Sequence, residues 1–251
     1  MWLLVFSVVI LLIILVVILF MYLNNDKSKK RILFLLLHTQ DKETLKDTIK
    51  ETWISHLDPQ YEKALFLVCK SNPIKEPDTD DTIVLDEDLK DDGLDVVLHK
   101  TVYGFQHILK KYQFDYLVRS NNGTYFQSHI LQNYLKENPN LKFGGLVANT
   151  TPKFVSGSCM IFRRDTLEQL TNYYTKNFPK ESSRNDDVIL SRCLIDRFNI
   201  QPTHLNRVDI EQVDEIDNCK KDEWCYRLSY PYNDELRIQK FKVLDKALRM
   251  T

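Results

Sequence analysis

The sequence predicts an α/β domain built on a mostly parallel sheet and tethered by one N-terminal transmembrane helix. Two observations predict it. Short continuous apolar runs alternate with longer segments of helical periodicity, the pattern of strands buried on both faces and the helices that cover them. Residues Trp2–Leu23 are almost continuously apolar and carry no formal charge. About twenty such residues, rising ~1.5 Å each, span a bilayer core of ~30 Å. The chain has 251 residues, a net charge of −1, 43% hydrophobic and 27% charged side chains. Nothing in that balance suggests the basic face that nucleic-acid binding needs, so no nucleic-acid partner is expected.

Trp2–Leu23 lacks the basic start and small-residue cleavage site of a signal peptide. Residues 1–23 therefore read as a retained anchor that holds the protein to a membrane, and 24–31 as a short basic linker. Lys27, Lys29, Lys30 and Arg31 follow the apolar run, and no Lys or Arg precedes it. The positive-inside rule puts the remaining domain in the cytosol. Anchors with so short an N-terminal tail mostly put it on the other side, and both orientations stay open.

Within 32–251 the elements follow in order. Ile32–Leu37 is a continuous apolar run, hence a strand. Asp41–His56 carries Leu45, Ile49 and Trp53 at helical spacing. Ala64–Val68 and Thr82–Leu85 are the next strands, separated by a Pro- and Asp-containing loop. Asp86–Asp95 is an acidic run, which as a rule is a solvated loop. Leu94 to Tyr112 forms one apolar helical face. Leu141–Ala148 is a strand with Gly144-Gly145 at its centre, a sign of close backbone approach. Asp165–Tyr174 is helical, Asn185-Asp186-Asp187-Val188 opens another helix, and a last helix runs from about Asn233 to Leu248. Five cysteines leave at least one unpaired within the chain.

Phe114–Phe126 organises the rest. Tyr116-Leu117-Val118 is a buried strand, and Arg119-Ser120-Asn121-Asn122-Gly123 is a small polar strand end with a turn signal. In open α/β sheets ligands bind in the crevice beyond the carboxyl ends of the strands. There is no dinucleotide fingerprint, P-loop or nucleophile elbow. The chemistry must come from scattered carboxylates and cations.

Four segments, in order, resemble the β-1,3-galactosyltransferase and Fringe-like glycosyltransferases. Lys46-Asp47-Thr48-Ile49-Lys50-Glu51-Thr52-Trp53 is similar to that family's Arg-x-x-Ile-Arg-x-Thr-Trp. Phe114–Phe126 sits where the family has a strand ending in Lys-Thr-Asp-Asp-Asp. Thr151-Pro152-Lys153-Phe154-Val155-Ser156-Gly157 resembles Tyr-Pro-x-Tyr-x-x-Gly. Asp186-Asp187-Val188, with Cys193-Leu194 and Asn199-Ile200-Gln201-Pro202 beyond it, resembles the Glu-Asp-Val segment. The strand end Arg119-Ser120-Asn121 is also similar to that of proteins from large DNA viruses.

The resemblance implies a single GT-A domain, a Rossmann-like nucleotide-sugar fold. It implies inverting transfer of a hexose or N-acetylhexosamine from a UDP-sugar to a glycan or protein hydroxyl, on a single-pass Golgi protein facing the lumen. Asp187 would be the general base, with Gly157 and Asp186 at the acceptor pocket. Lys46, Lys50, Trp53, Arg119, Ser120, Asn121, Asn122 and Gly123 would line the donor. The family's aspartates hold a Mn²⁺ that bridges the donor diphosphate. Here Asn121, Asn122 and Gly123 stand at those positions, and amides bring no charge to a hard cation. Mn²⁺ binding is therefore expected to be weakened, with Asn122 and His204 as the remaining candidate ligands and the Arg119 guanidinium as a candidate for the phosphates. The alternative is a degenerate member that binds a sugar or partner and catalyses nothing.

Overall fold

The computed structural model describes residues 10–16, 29–39, 42–69, 79–85, 94–177, 185–228 and 233–250. Most of the expected anchor and linker lies outside them. Residues 10–16 form a helix, α1, with exposed apolar side chains. Among the described residues no helix is long and apolar enough to cross a membrane.

The main sheet has seven strands in the order β3-β2-β1-β4-β7-β6-β8. These are β1 Ile32–Leu37, β2 Glu62–Cys69, β3 Thr82–Leu85, β4 Tyr116–Asn121, β6 Phe143–Ala148, β7 Phe154–Arg163 and β8 Thr203–His204. Only β7 runs against the others, pairing antiparallel with β4 and β6. The sheet is thus mostly parallel, as expected, and its central strands are apolar on both faces. Leu33, Phe34, Leu35 and Leu36 of β1 are all buried, because successive side chains of a central strand enter opposite cores. One core lies under α2 (Glu43–Glu51), α4 (Ser128–Glu137) and α7 (Asp234–Arg249). The other lies under α3 (Leu94–Lys111), α5 (Arg164–Lys176) and α6 (Asp186–Arg192).

Three local outcomes depart from the sequence reading. The helix expected over Asp41–His56 stops at Glu51 and tightens into a 3₁₀ turn, Trp53–His56. Val155-Ser156-Gly157-Ser158, which precedes the apolar Cys159–Phe162, joins it in one strand, β7, with its serine side chains hydrogen-bonded. The unpatterned stretch after Asn206 folds into β9 (Val208–Ile210) and β10 (Cys225–Leu228). These join β5 (Thr124–Phe126) in a second sheet of order β5-β10-β9. Gly144 and Gly145 do mark close approach. A Cβ on Gly144 would stand 2.7 Å from the Thr203 carbonyl, and Gly145 has φ of +141° with the Cys159 carbonyl against it. α7 is pinned through Asp245, whose carboxylate accepts from Tyr125 Oη (2.9 Å) and Arg249 Nε (2.8 Å) and meets His56 Nε2 at 2.9 Å.

Trp53 is a core residue. It is 1% exposed, with its ring edge-on to Phe34 and Phe126 at centroid distances of 5.3 and 5.1 Å. No face is left for a donor base, so its expected place in the donor site is corrected. Trp53→Ala should cost about 3–5 kcal/mol of stability, measured by urea denaturation. A midpoint equal to wild type would contradict this packing.

Candidate functional site

The carboxyl ends of β1 and β4 open into a cleft of about 670 Å³, within the range of small-molecule sites. Because β7 runs backwards, its amino-terminal half lies at this same edge and brings Phe154, Ser156, Gly157 and Ser158 to the cleft. α6 starts here as well. The helix opens at Asp186, after Asn185 in extended conformation. Both acidic residues therefore sit at the edge of the sheet, where the helix N-terminus favours negative charge.

The two carboxylates have different partners. Asp186 is buried and accepts from Arg119 Nη2 at 2.5 Å and from Thr101 Oγ1 at 3.1 Å. Asp187 lines the cleft. Its Oδ2 accepts from the Gly157 N–H and its Oδ1 from the Val188 N–H, each at 2.8 Å. Burial pushes the Asp187 carboxyl above the ordinary carboxylate range, and Asp186 adds to the rise. The two N–H groups and the Arg119 charge pull the other way.

Arg119 is corrected from its expected role. Its side chain is 4% exposed. Nη1 donates to the Gly157 carbonyl and Nη2 to Asp186, so the fork that would grip phosphate is committed inside the protein. Ser120 is buried too, its Oγ donating to the Ser158 carbonyl at 2.5 Å. Gly157 is glycine for room, since a Cβ there would stand 3.2 Å from Asp187 Cβ and press on Arg119.

Asn121 lines the cleft, but its Oδ1 accepts from the Gly123 N–H (3.1 Å) and Thr124 Oγ1 (3.3 Å). Asn122 and Gly123 turn the chain from β4 into β5, under Arg237, whose Nη1 donates to Asn122 Oδ1 at 3.5 Å. Both amide oxygens are thus occupied, and one faces a guanidinium. This donor set does not fit a hard divalent cation, which needs free, preferably charged oxygens. His204 cannot complete it. It stands in register with Gly145, Met160 and Arg119, three strand spacings or roughly 14 Å from Arg119 at about 4.8 Å each. Among the described residues no group of three or more His, Cys, Asp and Glu could hold a metal.

Lys46 and Lys50 do not reach the cleft. They line a separate depression with Glu43 and Asp81, and Lys50 Nζ pairs with Asp81 at 2.6 Å. Lys46 is buried, its ammonium 5.6 Å from the Phe66 ring centre.

The cleft also contains residues that sequence reasoning missed. Lys100 Nζ donates to the His38 carbonyl at 2.6 Å, and both residues line the cleft. Arg207 donates to Ser156 Oγ (2.9 Å) and Ser158 Oγ (2.5 Å), holding the serines of β7 in place. Arg227 of β10 stands at the rim. No signal marked Arg207 or Arg227, because Arg207 lies in a loop just before the three-residue β9 and Arg227 in the four-residue β10, both within a polar stretch.

No family model and no curated protein matches the chain. Its fold is similar to a solved structure, a glycosyltransferase involved in the glycosylation of the major capsid of PBCV-1. The match has a TM-score of 0.50 at 11% identity and covers 84% of this chain and 98% of that one. The chain has a glycosyltransferase-like fold. At that identity the likeness speaks to architecture, and the chemistry must be argued from the cleft.

The raised Asp187 value has a consequence for stability. The folded chain holds this proton more tightly than the unfolded chain, so the favourable contribution is complete below the ordinary carboxylate range. It is lost as pH rises through the higher folded value. Asp187→Asn cannot ionise, so its melting temperature relative to wild type should climb as pH rises above the ordinary carboxylate range. A difference that stays flat with pH, in paired thermal melts, would show that Asp187 is not raised.

Proposed function

We propose that the chain is a glycosyltransferase, held to a membrane by its N-terminal apolar segment. In this reading it moves a hexose or N-acetylhexosamine from a UDP-sugar to a hydroxyl of a glycan or protein, with inversion. The observation that carries the reading is Asp187. Its carboxylate, with proton affinity increased by burial, lines a cleft at the carboxyl edge of a glycosyltransferase-like sheet.

The step asks little of the protein beyond placement and charge. An acceptor hydroxyl oxygen attacks the sugar C1 from the face opposite the diphosphate. The bond from C1 to the leaving oxygen breaks, its electron pair staying on the diphosphate, and the hydroxyl proton passes to Asp187. Each Asp187 oxygen accepts one N–H and keeps a lone pair for that proton. The two N–H bonds fix the direction in which the carboxylate points, and a raised proton affinity suits a general base. The Ser156–Ser158 segment, braced by Arg207, supplies hydroxyls for sugar or phosphate oxygens.

A second reading, a sugar-binding protein without turnover, is favoured by one observation: the strand end holds Asn121 and Asn122 rather than carboxylates. Titration with a panel of UDP- and GDP-sugars, followed by turnover assays, separates the two. Under the catalytic reading one UDP-sugar binds, and Asp187→Asn lowers turnover by ~10²–10⁴ with donor affinity nearly unchanged. Asp186→Asn instead strands Arg119 and should damage folding. Equal turnover in wild type and Asp187→Asn would remove the general base, and failure of every nucleotide sugar to bind would remove the donor site.

A further inference from the structure

We propose that Arg227 is the cation that grips the donor diphosphate. The inference rests on the reading of the cleft as a nucleotide-sugar site.

When the C1–O bond breaks, its electron pair and negative charge move onto the leaving diphosphate. A site that promotes the reaction must set positive charge there. The strand end does not fit a metal, since both amide oxygens already accept hydrogen bonds and Arg237 lies over Asn122. The charge must come from side chains. Three cationic residues line the cleft among the described residues: Lys100, Arg119 and Arg227. Arg119 is spent on Asp186 and the Gly157 carbonyl. Lys100 is 4% exposed and directs its ammonium at the His38 carbonyl.

Arg227 differs from both. Its side chain is 40% exposed, and its ion-pair partner among the described residues is Asp209, at a loose 4.0 Å. Asp209 is in turn gripped by Arg207, whose Nε and Nη2 donate to its two oxygens at 2.7 and 2.8 Å. One carboxylate thus faces two guanidiniums, and the tighter pair is with Arg207. A net positive charge remains at the rim, with most of the planar donor fork of Arg227 open to bidentate phosphate binding.

The backbone sets where that fork sits. Arg227 pairs in register with Thr124 of β5, and the Leu228 N–H donates to the Gly123 carbonyl at 2.8 Å. β10 is therefore stitched to the Asn122-Gly123 turn at the end of β4. Aspartates at Asn121 and Asn122 would draw Arg227 onto themselves and cancel its charge. With amides there, the guanidinium stays available. The uncharged strand end and the arginine beside it make one consistent electrostatic design.

The test uses full-length protein in detergent, titrated with uridine, UDP and inorganic pyrophosphate in the presence of chelator. Wild type should bind UDP at least about tenfold more tightly than uridine, and added Mn²⁺ should change that little. Arg227→Gln should weaken UDP and pyrophosphate by about tenfold and leave uridine alone, as expected for loss of a bidentate charged contact. Arg227→Lys keeps the charge without the fork and should fall between. It also serves if the glutamine variant folds poorly. UDP binding by Arg227→Gln equal to wild type, or a strict need for Mn²⁺, overturns the role of Arg227 while the nucleotide-sugar reading stands. Wild type that binds neither UDP nor any UDP-sugar overturns that reading and this inference with it.

Discussion

Arg119 leaves the end of β4 pointing into the protein, and its charge has to be met there. The partner is Asp186, from a helix that starts 67 residues later in the chain. The same guanidinium reaches the Gly157 carbonyl of β7, and Thr101 of α3 adds a hydrogen bond to Asp186. One buried ion pair thus ties two strands and two helices together at the edge where the cleft opens. Breaking such a pair by removing one partner costs about 3–5 kcal/mol, because the other charge is stranded. α6 has seven residues, too few to be stable alone. It is held from outside, by this charge at its first turn and by Leu190 and Leu194 in the core. Asp187 takes its place in the cleft because Asp186 is fixed one residue before it.

This division of labour settles which charges a ligand meets. Arg119 and Asp186 cancel each other, as do Arg207 and Asp209. Beyond these pairs the cleft offers a guest the Asp187 carboxylate and the Arg227 guanidinium. The side chains of Ser156, Ser158 and Asn121 line the same cleft. A nucleotide sugar has the matching polarity, with anionic phosphates at one end and a neutral sugar carbon beside the acceptor at the other.

Much of the architecture could be read in the sequence. Ile32–Leu37 and Ala64–Val68 announce themselves because a strand buried on both faces has nothing but apolar side chains to offer, and the edge strand Thr82–Leu85 differs only by Thr82. The glycines of β6 were legible because only glycine lets another backbone come that close. The cleft was less so. Arg119 and Asp187 were visible as chemistry, but nothing local reveals that Arg119 is already paired with Asp186, a contact between distant segments. Trp53 reads equally as stacking platform or core, and burial alone decides. Arg207 was hidden in a loop and Arg227 in a strand of four residues, too short within a polar stretch to show a period. The position of Arg227 is set by pairing with β5, and through it by the turn at Asn122 and Gly123.

The sheet separates two apolar interiors, and two charged residues of the cleft are rooted in different ones. Asp187 is carried by α6, whose Leu190, with Leu194 just beyond the helix, belongs to the interior shared with α3 and α5. Arg227 is carried by β10, whose Cys225, Tyr226 and Leu228 belong to the interior under α2 and α7. Changes deep in one compartment act first on the charged residue that compartment carries, and substitutions that share no partners combine additively. The enzyme reading therefore comes with two independent dials. Repacking beneath α6 would retune proton abstraction, and repacking beneath β10 would retune the grip on the leaving group. A protein engineer could adjust acceptor chemistry and donor retention separately, without touching a residue that meets the sugar.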